Sequence, residues 1–180
     1  MARALLAIVL LALAALAAGG WVNARNGLRG QRTAIQSEWP NVAGALERRA
    51  DLVATLAQTV KVAAGASNPV FQDIAAAREA LSSGSTAQQK IQANSRLMQA
   101  FANLFLLTER YPKLNSDRNY RRIGDEIKEA ENSVAIERRK YNEVLEHYNA
   151  QLQRFPDNIV AKVSGFSRID DYVITEQEVQ

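Results

Sequence analysis

The chain has 180 residues, 47% of them hydrophobic and 23% charged, with 22 basic against 19 acidic side chains and a net charge of +3. So small a charge, so evenly mixed, argues against a nucleic-acid footprint. The lack of cysteine excludes disulfides, thiolate metal sites, cysteine nucleophiles and a lipidated cysteine anchor, and a lone histidine, His147, excludes His-rich metal sites.

A run without charge from Ala4 to Ala24 comes first, built on Leu5, Leu6, Ile8, Val9, Leu10, Leu11, Leu13 and Leu16, with Trp21 near its far end. As a helix, about 20 such residues span roughly 30 Å, enough to cross a bilayer. Arg3 precedes the run and Arg25, Arg29 and Arg32 follow it, so charges and an interfacial aromatic flank it as they flank a membrane-spanning helix. A cleaved signal peptide is the competing reading, because Ala12-Leu13-Ala14 and Ala15-Leu16-Ala17 resemble cleavage sites. Length and the tryptophan favour a retained anchor. The arginine count favours a cytoplasmic soluble part, whereas export would place that part outside. The expected division is an anchor over residues 1–24, a helical body over 25–156 and a tail over 157–180.

Beyond Arg25 apolar residues recur every three to four positions in a chain rich in Ala, Leu, Gln, Glu and Arg, which predicts an all-α protein. The first long helix is expected near 26–64, where Trp39, Leu46, Val53 and Val60 repeat every seven residues beside Ile35, Val42, Leu56 and Ala63. Arg49 interrupts the second series, and Pro40 predicts a kink or a fresh start after Ser37. Asn68-Pro69 predicts the cap and first residue of a short helix over 69–82. Ser85 with Gln88 reads as a capping box opening a helix over 86–111, with stripes Ile91, Met98, Phe105 and Leu97, Leu104, Tyr111, closed by Tyr111-Pro112. The longest helix is expected over 116–155, where Tyr120, Ile127, Val134, Tyr141, Tyr148 and Phe155 keep a strict seven-residue interval until Pro156. Such repeats favour shallow crossings. The predicted architecture is therefore an antiparallel bundle of three long helices and a short one, preceded by one transmembrane helix; a two-chain coiled coil fits the turns less well.

The glutamates of the last long helix alternate with Lys and Arg, as on a solvated face. Glu143 and His147 stand four apart rather than at the spacing of a di-metal bundle, and no hydrolase, nucleotide or zinc-protease signature occurs. Arg49 either meets an acid inside the bundle, with Glu131 and Glu137 as candidates, or lies at the seam's edge with its head in water. Tyr141-Asn142 and Tyr148-Asn149 put polar tips beside the core stripe, for hydrogen bonds to a neighbouring helix or for a ligand or partner. Arg48 with Asp51 is expected to serve the bundle. In the tail, Ile159, Val160, Val163 and Phe166 offer a small apolar face, and the stretch holding Tyr172, Val173 and Ile174 reads as disordered, a short strand or a docking peptide.

Arg48-Arg49-Ala50-Asp51-Leu52, Thr59-Val60-Lys61, Ala77-Arg78, Tyr111-Pro112-Lys113-Leu114, Glu131-Asn132-Ser133-Val134-Ala135, Tyr141-Asn142, Tyr148-Asn149, Phe155-Pro156 and Gly165-Phe166 together resemble the LemA family of bacterial membrane proteins. The resemblance runs from about Arg25 to Phe166 and implies a helical bundle on a single N-terminal anchor in the bacterial inner membrane, with a cytoplasmic C-terminal domain. This chain departs from the family pattern at Val53-Ala54-Thr55-Leu56 and at Val62 to Ser67. The family supplies no enzymatic activity to carry over. The expectation is a non-enzymatic scaffold or adaptor without cofactor or nucleic acid, contacting lipid through its anchor and binding unidentified protein partners, with self-assembly open. Two alternatives stand beside it: a membrane-surface organising protein using Arg25, Arg29 and Arg32, and an enzyme with a carboxylate-built metal site.

Overall fold

The computed structural model describes residues 2–64 and 68–170. The departure at 65–67 and the Tyr172, Val173 and Ile174 stretch lie outside the described residues. Among those described there are five α-helices and no strand: α1 (Ala2–Ala64), α2 (Val70–Ser83), α3 (Ala87–Thr108), α4 (Arg118–Gln151) and α5 (Asp157–Ser164), with a 3-10 turn at Pro112–Ser116. The all-α fold is the one that the periodicity predicts.

α1 continues through Pro40 as one helix, so the fresh start after Ser37, one of the two outcomes expected of Pro40, does not occur. Proline removes one N–H and leaves the carbonyl four residues earlier without its donor. Here Pro40 and Gln36 are both exposed, so water can serve that carbonyl. α2 opens at Val70, one residue after the expected first position Pro69, which is itself the cap, and Val70 N–H donates to Asn68 Oδ1 at 3.0 Å. α3 is capped by Thr86 and Gln89 instead of Ser85 and Gln88: Gln89 N–H donates to Thr86 Oγ1 at 3.2 Å, and Gln89 Oε1 accepts from Thr86 N–H at 3.3 Å. Thr86 has the extended backbone of a cap, whereas the Ser85 N–H is itself held by Gln89 Oε1 at 2.9 Å.

α3 ends at Thr108, short of Tyr111-Pro112, because Arg110 and Tyr111 donate only three residues back and tighten the last turn. Its buried stripe is Ala93, Leu97, Ala100, Leu104 and Leu107, while Ile91 and Met98 are half-buried and Phe105 is exposed. The expected Ile91–Met98–Phe105 stripe is thus corrected to one that alternates leucine with alanine, which lets a neighbouring helix approach closely. On α4, Ile127, Val134, Tyr141 and Tyr148 are buried as the seven-residue interval predicts. Phe155 leaves the series: the helix closes at Gln151, and Phe155 is 80% exposed. The residue before a proline is disfavoured in helical geometry, and Pro156 imposes this on Phe155.

The chain divides into two compact units. In one, the described residues are 38–64 and 68–141. Its core joins Leu46, Val53 and Val60 of α1, Ile74 and Leu81 of α2, Leu97 and Leu104 of α3, and Ile123 and Ile127 of α4, all nearly inaccessible to solvent. Trp39 meets Tyr141 edge to face at 5.4 Å between ring centres. Lys90 reaches Glu47 Oε1 at 2.6 Å and the Leu81 carbonyl at 2.9 Å, tying α1, α2 and α3 together.

In the other unit, the described residues are 2–37 and 142–170. Leu28, Ile35, Leu145, Tyr148, Val160 and Ala161 form its core. Gly165 caps α5 with φ +74°, a left-handed conformation that glycine adopts freely, and Phe166 N–H returns to the Ala161 carbonyl at 2.9 Å. This turn sends residues 166–170 past the end of α4.

Candidate functional site

The Tyr148-Asn149 pair holds that returning segment. Tyr148 Oη donates to the Ser167 carbonyl at 2.9 Å, Asn149 Nδ2 donates to the Ile169 carbonyl at 2.7 Å, and Ile169 N–H donates to Asn149 Oδ1 at 3.1 Å. The carboxamide therefore grips one residue's backbone through its acceptor and its donor together. Burial pushes the Tyr148 hydroxyl above its ordinary pKa, and the Arg32 charge pulls it back in part. The partner is thus the chain's own C-terminal segment, where the sequence suggested a neighbouring helix.

Arg25, Arg29 and Arg32 fall on one face of α1 and, with Ser164 and Phe166, line an open cavity of about 360 Å³. A second opening, of about 470 Å³, belongs to the unit of residues 38–141. Leu56, Phe101, Phe105, Tyr120 and Ile127 give it an apolar lining, and Arg121, Asp125, Lys128 and Glu131 its charges. Phe105 and Leu106 are both exposed, and Lys128 pairs with Asp125 at 3.0 Å. Apolar lining under a charged border is the composition of a protein-docking surface.

The other sequence-picked residues are dispersed. Arg49 is 8% exposed and donates through Nη2 to Asn94 Oδ1 on α3, so it does not keep its head in water at the seam's edge. Asn94 is a partner that the sequence did not suggest. Glu131 is exposed at the groove, and Glu137 accepts from Lys140 at 2.9 Å. Asp51 pairs with Arg78 at 2.6 Å, both exposed, so the acid beside Arg48 serves a contact between α1 and α2. Tyr111 and Pro112 line a separate opening with Ala63 and Leu114. Asn132 and Pro156 are exposed, Asn142 is half-buried, and Glu143 stands 4.0 Å from His147. Among the described residues, no three His, Asp or Glu side chains converge as metal ligands do.

The model of the LemA family matches residues 38–180. The chain belongs to the LemA family. Two magnetosome proteins of Paramagnetospirillum magneticum, MamQ 1 and MamQ 2, are each 30% identical to it over 71 residues, which is 39% of this chain and 26% of theirs. MamQ of Magnetospirillum gryphiswaldense is 23% identical over 90 residues, 50% of this chain and 33% of that protein. The chain therefore spans only about a quarter to a third of the curated relatives it matches. The matched LemA region begins one residue after the unit boundary at Ser37 and takes in the groove, the Arg49–Asn94 contact and the Tyr148-Asn149 grip. Before it, the apolar part of α1 has the length and hydropathy to cross a membrane.

Proposed function

We propose that this LemA protein is a non-enzymatic scaffold or adaptor, held at the bacterial inner membrane by the apolar part of α1 and presenting its helical bundle to protein partners. The observation that carries the reading is the groove between α1, α3 and α4, with Phe101 and Phe105 in its lining and Arg121, Asp125, Lys128 and Glu131 around it. Exposed aromatic side chains are expensive to leave in water and are common anchors of protein interfaces. Membrane lipid is the anchor's partner, and the cytoplasmic side suits the arginine count after the span. The relatives' magnetosome role stays with them, since most of their length has no counterpart in this chain.

The test is crosslinking and capture from native membranes with the full chain and with Phe105→Asp. Phe105 is exposed, so the variant is expected to fold and to reach the membrane fraction unchanged. A protein crosslinked by the wild type and lost with Phe105→Asp supports the adaptor reading. Equal recovery with both overturns the groove as its basis. A second reading, organisation of the lipid surface by a self-assembling protein, is favoured by the row Arg25, Arg29 and Arg32, and predicts self-crosslinks that Phe105→Asp leaves intact.

A further inference from the structure

Outside the apolar run of α1, the described residues of the unit 2–37 and 142–170 leave three large apolar side chains in water: Phe155 is 80%, Ile159 50% and Val163 70% exposed. They lie at four-residue intervals, so Ile159 and Val163 share one face of α5 and Phe155 precedes them on the turn that enters it. Their height relative to the apolar span follows from contacts within the unit. A Cβ on Gly27 would meet Gln151 Nε2 at 3.2 Å, and Tyr148, one turn back along α4, feels the charge of Arg32, further along α1. α4 therefore descends toward the apolar end of α1 as its numbering rises. α4 closes at Gln151, and Gln153 and Arg154 donate only three residues back, to Ala150 and Gln151, as the chain turns into α5. Gln151, whose Nε2 also donates to Asp157 Oδ2 at 2.9 Å, stands beside Gly27, three residues or about 4.5 Å past Ala24, so the turn between Gln151 and Asp157 lies within about one helical turn of the end of the apolar run.

That level is where the bilayer's hydrocarbon ends. Leu5 to Ala24 in a helix fill about 30 Å, and the headgroup layer adds roughly 5–7 Å on each side. The α4–α5 corner thus stands within the headgroup layer of the leaflet from which α1 emerges. The cations suit that place: Arg25, Arg29, Arg154 and Lys162 are exposed, and among the described residues none has a carboxylate within ion-pair distance.

We propose that this corner is a second membrane contact, with Phe155, Ile159 and Val163 inserted at the boundary of headgroups and acyl chains and Arg25, Arg29, Arg154 and Lys162 held on the phosphates of anionic lipids. The inference rests on the reading of α1 as a spanning anchor. An apolar face with cations beside it is the composition of an interfacial helix. The contact fixes the unit against the bilayer plane, which a single spanning helix, free to rotate about its axis, cannot do.

The chain has no cysteine, so single cysteines can be placed at will. Full-length Leu10→Cys, Ile159→Cys, Val163→Cys and Glu146→Cys, each carrying a nitrobenzoxadiazole label, are reconstituted in vesicles of phosphatidylethanolamine with phosphatidylglycerol and in phosphatidylcholine alone. The expected result is a blue shift at positions 159 and 163, quenching by shallow spin-labelled lipid, and loss of quenching by aqueous iodide relative to position 146. In phosphatidylcholine, and with Arg154→Ser and Lys162→Ser in the anionic vesicles, iodide regains access. Position 10 reports the span by itself. If it is quenched by deep spin-labelled lipid while 159 and 163 match 146 in iodide access, the corner contact is overturned and the anchor stands. If position 10 is open to iodide, the anchor falls and the corner with it. Protection at 159 and 163 without lipid quenching means a protein cover and overturns the proposal, and equal protection in both vesicle types overturns the role of anionic lipid charge.

Discussion

Replacing Asn149 by alanine removes both hydrogen bonds that its carboxamide makes with Ile169. Asn149 is buried and Ile169 half-buried, so water replaces these bonds poorly. At about 1 kcal/mol for each bond, the segment loses about 2 kcal/mol, or roughly a 30-fold rise in its local opening constant. Native-state hydrogen exchange of the Ile169 amide in detergent-solubilised protein reads this directly, with the α3 amides as an internal reference that should not move. Asn149→Asp is expected to do no better than alanine: it keeps an acceptor for Ile169 N–H but turns a carboxylate oxygen toward the Ile169 carbonyl, where the amide donated. Tyr148→Phe, which removes one bond to Ser167, should raise opening only about fivefold. An Ile169 amide whose protection changes less than threefold in Asn149→Ala would refute the grip as what holds the segment.

Three further outcomes are expected. Arg49→Ala should cost about 2–4 kcal/mol in urea unfolding, because it opens a cavity and strands the buried side of Asn94, whereas Arg49→Met keeps the volume and should cost about half as much; equal effects would count against the polar contact. Thr86→Ala should lower stability by about 1 kcal/mol and Ser85→Ala by a few tenths at most, since Thr86 is the cap; the reverse order in thermal melting would restore the Ser85 box. Tyr148 makes stability fall at alkaline pH. Below about pH 10 both folded and unfolded chains keep the phenolic proton; above it the unfolded chain releases its proton first, because burial raises the folded pKa, so stability drops as pH rises, and Tyr148→Phe should remove that part of the alkaline slope in unfolding measured from pH 9 to 11.

The helical class, the apolar span and most of α1 and α4 were legible because their seven-residue intervals are long and carried by large side chains. α3 was harder to read, since Ala93 and Ala100 face inward and Phe105 outward, and a reading weighted by size selects the outward residues. Caps moved by a single residue, as at Thr86, because Ser85 and Thr86 have equivalent chemistry and only the backbone conformation separates them. Asn94 could not be named as the partner of Arg49, for no local pattern marks which polar residue another helix will bring opposite a cation. Tyr148 and Asn149 stood out as polar tips beside a core stripe. What they hold depends on the Gly165 turn some 16 residues later, and spacing along one helix does not encode that.

The ion pairs of α4 bear on how a partner would arrive. Arg122 pairs with Glu126, Lys128 with Asp125 and Lys140 with Glu137, each within a turn of the same helix. Charges neutralised so close together produce little field beyond the Debye length, about 8 Å at physiological salt. On the proposed reading, a protein approaching the α4 border of the groove would receive little long-range steering from these pairs and would associate at a rate on the order of 10⁵–10⁶ M⁻¹s⁻¹ that hardly responds to ionic strength. Selectivity at such a surface has to come from how long a partner stays, through the fit of its side chains around Phe101 and Phe105, and confinement to the plane of a membrane would compensate for the slow encounter by raising the local concentration of both molecules.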